Sequence, residues 1–219
     1  MPFEIDHLFV VSEFAAPIVD KIVTAGFIEG SARNHPGQGT ANRRIFFYNN
    51  YLEFLFLTLR EETLAENIER TGIIPRCRRD PKSCPIGIAL RKRHSDTTTE
   101  SFPTWTYQPH YMPPELNIQI ATTSHNCASP LVFLVPNVAS TPSVIDVPEH
   151  PTGARFLTDI CVGVPADFVF DEPCTILQNA GIAKFVPSAD WRVELTFDNG
   201  HRGGYFTGDS FGTALTLRW

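Results

Sequence analysis

The sequence predicts an α+β fold assembled from βαβββ modules, because one order of elements occurs at both ends of the chain. Near the N-terminus, a strand (Phe3–Val11) precedes a segment with helical spacing (15–25) and then three further strands up to residue 57. Strand, helix and three strands return in the same order from residue 153. The stretch between them has strands but no helix, which indicates a degraded middle copy.

These copies divide the 219 residues into four segments. A first βαβββ module covers 1–60, a helix and connecting loop cover 61–84, the degraded middle module covers 85–148, and a third βαβββ-like module covers 149–219. The length suits one large domain or two small ones, and we expect the segments to form one compact unit.

The opening strand has two distinct faces. Side chains alternate along a strand, so one face is expected to carry the odd-numbered residues, including His7, and the other the even-numbered ones, including Asp6. The second half of the strand is apolar on both faces, which predicts a central position in a covered sheet.

The rest of the first module has its own signals. The segment 15–25 places Ile18, Ile22 and Val23 on one helical stripe, and Gly26 is expected to end the helix. Two aromatic and apolar runs flank Asn49–Asn50, and Asn tolerates the positive φ of a tight turn, so this stretch predicts a β-hairpin.

The segment 61–84 predicts a helix over 61–71, ended by Gly72, followed by a loop. This loop contains the basic cluster of the sequence, and its members are Arg76, Arg78, Arg79 and Lys82. A solvated loop is the favoured interpretation of this cluster, and an anion-binding site is the alternative.

Composition excludes several functional classes. The formal net charge is −6, which argues against nucleic acid as a partner. No apolar run approaches the roughly 20 residues of a membrane-spanning helix. The N-terminus has no signal-peptide pattern, and the five cysteines are an odd number, so we expect reduced thiols and a cytoplasmic location.

Glu53 is the most informative single residue. It lies in the otherwise apolar run Tyr51–Leu57, and a carboxylate is costly to bury without a partner. The best partner lies near the N-terminus.

Several segments resemble a known superfamily. The opening strand IDHLFVV (5–11), the run HPGQGTANR (35–43) and Tyr51-Leu52-Glu53 are similar to the vicinal oxygen chelate superfamily of glyoxalase and bleomycin-resistance type proteins. CPIGI (84–88) and PTWTY (103–107) are similar to its glyoxalase-like branch. The resemblance implies that the modules form a curved, partly open barrel around a substrate cavity.

The resemblance also implies a metal site with His7 and Glu53 as ligands from the first and fourth strands. Imidazole and carboxylate suit Zn²⁺, Fe²⁺, Ni²⁺ or Mn²⁺. The corresponding strands 85–90 and 131–135 have no His, Asp or Glu, so His150 is the best loop residue to complete the set. The alternative is a metal-free pair in which His7 and Glu53 hydrogen-bond each other.

Polar and aromatic side chains near these strands are candidates for substrate binding. In the polar run and the strand after it, the candidates are His35, Gln38, Thr40, Asn42 and Arg44. Trp105 and Tyr107 are candidates for the wall of an apolar pocket. The alternatives are a solvated turn for the first group and packing against the barrel for the second.

Two functions are compatible with these features. In the first, the protein is an enzyme that binds a small oxygenated, possibly anionic molecule, with His7 and Glu53 as catalytic residues. Isomerase, lyase and dioxygenase-type reactions all occur in this superfamily, and without a metal Glu53 would be a general base. In the second, the protein binds or sequesters a small molecule without turnover. The resemblance is also compatible with a homodimer, because members of this superfamily often dimerise.

Overall fold

The computed structural model describes residues 3–58, 67–80, 82–93, 102–136 and 147–219. The first module has the expected order of one strand, one helix and three strands. These elements are β1 (Phe3–Val11), α1 (Ile18–Thr24), β2 (Arg33–His35), β3 (Thr40–Phe46) and β4 (Tyr51–Leu57). Strands β3 and β4 form the hairpin around Asn49–Asn50, with Phe46 opposite Tyr51.

The middle of the chain begins with two short helices and continues with four strands. These elements are α2 (Ile68–Thr71), α3 (Ile73–Arg78), β5 (Ile86–Lys92), β6 (Thr104–Tyr107), β7 (Ile118–Ala121) and β8 (Leu131–Leu134). They join the first module in one eight-stranded sheet of order β2-β3-β4-β1-β5-β8-β7-β6. The antiparallel pair β1 and β5 lies at its centre. Outward from β1 follow β4, β3 and β2, and outward from β5 follow the corresponding strands β8, β7 and β6.

The C-terminal segment forms a second sheet of five strands with order β10-β9-β11-β13-β12. Its elements are β9 (Leu157–Val164), α4 (Glu172–Asn179), β10 (Lys184–Pro187), β11 (Arg192–Phe197), β12 (Tyr205–Ser210) and β13 (Thr213–Arg218). A mixed, curled half-barrel sheet with a second sheet beside it confirms the predicted α+β fold class.

The two faces of the central strand β1 belong to different apolar clusters. Leu8 and Val10 pack with Val162 and Leu217 of the second sheet, so this face of the large sheet is covered. Phe9 packs on the other face with Phe133 and neighbouring side chains. The second sheet therefore leaves one concave face of the large sheet to form a cavity.

Two local predictions need correction. Helix α1 begins at Ile18, because Ala15 and Ala16 have positive φ values of 63° and 47° that no right-handed helix accommodates. Val19 is buried where Val23 was predicted, and Val23 is exposed.

The segment 61–84 departs more strongly from the prediction. Residues 61–66 of the predicted helix lie outside the described residues. The helix does end at Thr71, since Gly72 follows in the left-handed conformation with φ 65°. The expected loop then starts with helix α3, and Arg76 within it is fully buried rather than solvated. Across the described part of the chain, no helix has the length and apolar character needed to cross a membrane.

Candidate functional site

A cavity of about 260 Å³ lies on the concave face of the eight-stranded sheet. The first module supplies its polar wall. The polar lining residues of this module are Asp6, His7, Arg33, His35, Gln38, Asn42, Arg44, Tyr51 and Glu53. The middle segment supplies a largely apolar wall. Its lining residues include Ile73, Tyr107, Ile118, Ile120, Leu131 and Phe133.

His7 and Glu53 lie together at the centre of the polar wall. Strands β1 and β4 are parallel, with His7 opposite Tyr51 and Glu53 opposite Phe9, so all four side chains share the cavity face. The distance from His7 Nε2 to Glu53 Oε2 is 3.4 Å, and each residue is 6% exposed. The fold thus brings together the two residues that the sequence singled out.

Asp6 also faces the cavity, although simple alternation predicts the opposite face. The β1–β5 register shifts between Ile5 and His7, so Asp6 is the extra residue of a β-bulge. A bulge interrupts the two-residue period and re-aims one side chain, which corrects the predicted placement. The signal that could have found Asp6 is its charge, because a buried carboxylate beside His7 also needs a partner.

Asp6 fixes the orientation of the His7 ring. Its Oδ1 is 2.7 Å from His7 Nδ1, and Arg91 Nη1 is 3.4 Å from its Oδ2. Burial raises the pKa of Asp6, but the hydrogen bond from His7 and the charges of His7 and Arg91 outweigh it, so the pKa lies below its usual value. The ionised carboxylate only accepts hydrogen bonds, so Nδ1 carries a proton and Nε2 faces Glu53. The ring also stacks on Tyr51, with 4.3 Å between centroids.

A hydrogen-bonded chain continues from Glu53 along the polar wall. Asn42 Nδ2 donates to Glu53 Oε1 at 2.7 Å and lies 3.4 Å from His35 Nε2. His35 Nδ1 lies 2.9 Å from Thr40 Oγ1, which also accepts from Gln38 at 2.8 Å. Since the Asn42 amide nitrogen only donates, His35 Nε2 accepts and Nδ1 carries the proton of a neutral ring.

Burial accounts for the neutral state of His35. It lowers the pKa of His35 to about 4, against the opposing influence of the Glu53 charge. The ring also packs against Tyr111 with 4.7 Å between centroids. Burial, followed by the nearby charges of Tyr107 and Glu53, raises the pKa of Tyr111 as well, so its hydroxyl stays protonated.

Two arginines add positive charge at the cavity wall. Arg44 Nε donates to the Ser31 carbonyl at 2.7 Å, and the guanidinium lies over the rings of Phe46 and Tyr51. These contacts hold Arg44 in place. The Arg33 guanidinium forms neither an ion pair nor a hydrogen bond with any described residue, so it can bind an anionic group.

The apolar wall occupies equivalent positions on the other side of the β1–β5 seam. In the antiparallel β1–β5 pair, His7 is opposite Ala89, Leu8 is opposite Ile88 and Phe9 is opposite Gly87. A twofold axis through the Leu8–Ile88 pair exchanges the two strands. It makes Gly87 equivalent to His7 and Ala89 equivalent to Phe9. Glu53 pairs with Phe9 and Phe133 pairs with Ala89, so Phe133 occupies the position equivalent to Glu53. A Cβ at Gly87 would lie 1.9 Å from the Phe9 ring, so glycine lets Phe9 cross the seam.

The remaining predicted residues have different positions. Tyr107 lines the cavity, and burial raises its pKa to about 12. Trp105 belongs to the apolar cluster that contains Phe9 and Phe133. Its Nε1 donates to Ser124 Oγ at 3.1 Å, and Arg70 lies over its ring. Of these two aromatic residues, only Tyr107 is placed to touch a ligand.

His150 is not brought to the His7–Glu53 pair. Its Nδ1 accepts from the Ile28 amide at 3.0 Å, and its Nε2 is 2.9 Å from the Phe46 carbonyl. The ring packs between Phe27 and Phe47 in the core. His150 therefore connects backbone segments, with both nitrogens occupied.

The donor set does not fit a resident metal ion. Within the described ranges, no three His, Cys, Asp or Glu side chains are grouped so that they could hold one. His7 and Glu53 supply two donors, Asn42 directs one amide hydrogen at Glu53, and Gly87 and Phe133 occupy the equivalent positions across the seam. Structural and catalytic transition-metal sites use three or four protein ligands.

Comparison with known proteins agrees with this architecture. The profile of a family described as "Glyoxalase-like domain" matches residues 5–167. Over the full chain, the structure is similar to a crystal structure described as a hypothetical protein from Staphylococcus aureus. The TM-score is 0.57 at 9% identity, and the match covers 100% of this chain and 99% of that one. No curated protein gives a significant sequence match. The resemblance read from the sequence is confirmed, and the chain belongs to the glyoxalase-like domain family.

Proposed function

We propose that this protein is an isomerase- or lyase-type enzyme that transfers a proton at the carbon next to a carbonyl group. One observation carries the proposal. His7 Nε2 and Glu53 Oε2 face each other at 3.4 Å on the wall of a cavity, with Asp6 fixing one partner and Asn42 the other.

This arrangement supports a shared proton. With Nδ1 protonated, a neutral His7 presents a lone pair to Glu53, and two lone pairs at 3.4 Å repel each other. One proton between Nε2 and Oε2 removes the repulsion and leaves one acid and one base in the pair. In the proposed reaction, the Glu53 carboxylate removes the proton from carbon and His7 Nε2–H protonates the carbonyl oxygen, which gives an enol.

The chemistry of the two walls supports one class of substrate. Arg33 offers an unpaired guanidinium to an anionic group, and Phe9, Phe133 and Ile118 offer apolar surface to the rest of the molecule. A small 2-oxo acid with an apolar side chain combines these features. Its carbonyl oxygen would lie against His7 Nε2 and its C3 proton against Glu53, with its carboxylate toward Arg33 and its side chain toward the apolar wall.

Proton exchange in deuterium oxide tests the proposal. Purified protein is mixed with pyruvate, 2-oxobutanoate or phenylpyruvate, and loss of the C3 proton signal is followed by NMR above the protein-free rate. We expect acceleration for at least one acid, loss of it in His7→Asn, and retention in His201→Asn, which changes an exposed histidine in the turn between β11 and β12. Equal rates with wild type and with His7→Asn would overturn the proposal.

A binding protein without turnover is the second candidate function. The observation that favours it is the apolar wall, which buries a ligand body without adding reactive groups. Binding of phenylpyruvate detected by calorimetry, together with no exchange above background for any of the three acids, would support this function instead.

A further inference from the structure

Arg76 on α3 is a fully buried cation that is held by backbone carbonyls. Its Nη1 donates to the carbonyls of Gly72 at 2.9 Å and Ser124 at 3.2 Å. Its Nη2 donates to the carbonyls of Asn126 at 3.1 Å and Ser129 at 2.9 Å. The guanidinium thus ties α3 to the loop that carries residues 126–129.

The charge of Arg76 has no carboxylate partner. None of the described Asp or Glu side chains forms an ion pair with it, and its buried Nε has no hydrogen-bond partner. An unpaired buried charge is costly, and carbonyl dipoles offset only part of that cost. The ionisable atom in contact with the guanidinium is Cys127 Sγ, 3.5 Å from Nη1.

We propose that Cys127 is a modification site, whose sulfur reacts as a thiolate paired with Arg76 toward hydroperoxides and small electrophiles. Cys127 is half-buried, and its sulfur also lies 3.7 Å from the Gly72 carbonyl oxygen. A neighbouring arginine favours the thiolate, which is the nucleophilic form of cysteine.

The other four cysteines have no such partner. Cys77, Cys84 and Cys174 are buried, and burial raises the pKa of Cys77 and Cys84 to about 12. Cys161 is half-buried like Cys127, and burial raises its pKa despite the charge of Arg192. Cys161 is therefore an internal control that is similar in exposure and lacks an arginine hydrogen bond to sulfur.

With a hydroperoxide, the step is a two-electron oxidation of sulfur. The thiolate attacks one peroxide oxygen, an S–O bond forms, and the O–O bond breaks. With hydrogen peroxide the products are a sulfenic acid and hydroxide, which leaves with the electron pair of the broken bond. Sulfur is oxidised and the peroxide is reduced.

Alkylation kinetics test the proposal on the reduced full-length protein. Iodoacetamide is added at pH 7, the reaction is stopped at intervals, and mass spectrometry gives the rate at each cysteine. We expect Cys127 to react at least tenfold faster than Cys161, and the two to react equally after denaturation in guanidinium chloride. Hydrogen peroxide followed by dimedone is expected to label Cys127 first.

Arg76→Met separates the arginine effect from simple exposure. We expect the Cys127 rate to fall at least tenfold and the Cys161 rate to stay the same, with circular dichroism verifying that the variant is folded. An unchanged Cys127 rate in the folded variant would overturn the proposal. If Arg76→Met does not fold, the wild-type ratio decides, and a ratio below tenfold refutes it.

Discussion

The two halves of the eight-stranded sheet have the same strand order outward from the β1–β5 seam but opposite chemistry. One half carries His7 and Glu53, and Gly87 and Phe133 occupy the equivalent positions in the other. Strand order and register therefore determine the shape of the cavity, while a few residue differences determine which wall is polar and which is apolar. The one-sided site suits a ligand with one polar and one apolar end.

The polar wall is stable because its buried groups satisfy one another. Glu53 accepts from Asn42, His7 bonds Asp6, and His35 completes the chain toward Thr40. A buried polar network of this kind stabilises the fold only when its members have partners. The apolar wall needs no such network, so substitutions in the two halves should affect different quantities.

Glu53→Gln is the largest expected effect on the polar half. We expect the exchange rate at saturating 2-oxo acid to fall at least about 100-fold, because an amide cannot remove a proton from carbon. The side chain keeps its size, so substrate affinity should change little. NMR exchange kinetics at several substrate concentrations would separate the two parameters.

Glu194→Gln is the matched control for this change. Glu194 lies on the second sheet, where it pairs with Arg218 at 2.7 Å, and its loss should leave both parameters unchanged. Full activity in Glu53→Gln would show that Glu53 is not the base.

Asp6→Asn is the second-largest effect, because Asp6 acts through His7. An amide no longer fixes the protonated Nδ1 by charge, so we expect a fall of about tenfold to 100-fold in kcat with KM nearly unchanged. The measurement is the same exchange assay. A rise in KM alone would instead assign Asp6 to substrate binding.

His35→Gln is expected to change the pH dependence of stability. The pKa of His35 is about 4 in the folded protein and about 6.5 in the unfolded chain, so the unfolded chain binds the proton first as the pH falls. Stability from this group is complete above about pH 6.5 and is lost between there and pH 4. Between pH 7 and pH 5 the loss is about 2 kcal/mol.

Urea unfolding at pH 7 and pH 5 measures this difference. We expect the wild-type protein to lose about 2 kcal/mol more than His35→Gln over this interval. His150 is also buried with a lowered pKa, but it is present in both proteins, so their difference isolates His35. Equal losses in the two proteins would contradict burial of a neutral His35.

The sequence predicts the fold well where local patterns decide it. The alternating runs around Asn49–Asn50 become the β3–β4 hairpin, and the predicted order of one strand, one helix and three strands is observed in the first module. It does not predict the environment of Arg76, because three of the four carbonyls that hold this guanidinium come from the distant segment 124–129. A basic residue in a polar stretch looks solvated until tertiary contacts are known.

The same distinction applies to the site. Glu53 is detectable because a carboxylate in an apolar strand demands a partner, and the parallel β1–β4 register supplies His7. Asp6 is placed on the wrong face because a single bulge shifts the strand period. The position of His150 beside Phe46 depends on tertiary packing between residues far apart in the sequence, which no local pattern encodes.

Ile118→Ala is the smallest expected effect and addresses the apolar half directly. Ile118 lines the cavity and is only half-buried, so its truncation should perturb the fold little. We expect about fivefold weaker binding of phenylpyruvate, or about 1 kcal/mol, because apolar contact with the phenyl ring is lost. Binding of pyruvate, which has no such ring, should be unchanged, and so should the exchange rate at saturation. Calorimetry and the exchange assay would measure these quantities, with Ile176→Ala on α4 as the control for a half-buried isoleucine away from the cavity. An equal loss for both acids would mean that the apolar half does not hold the side chain of the ligand. It would contradict the assignment of side-chain binding to the apolar half and proton transfer to the polar half.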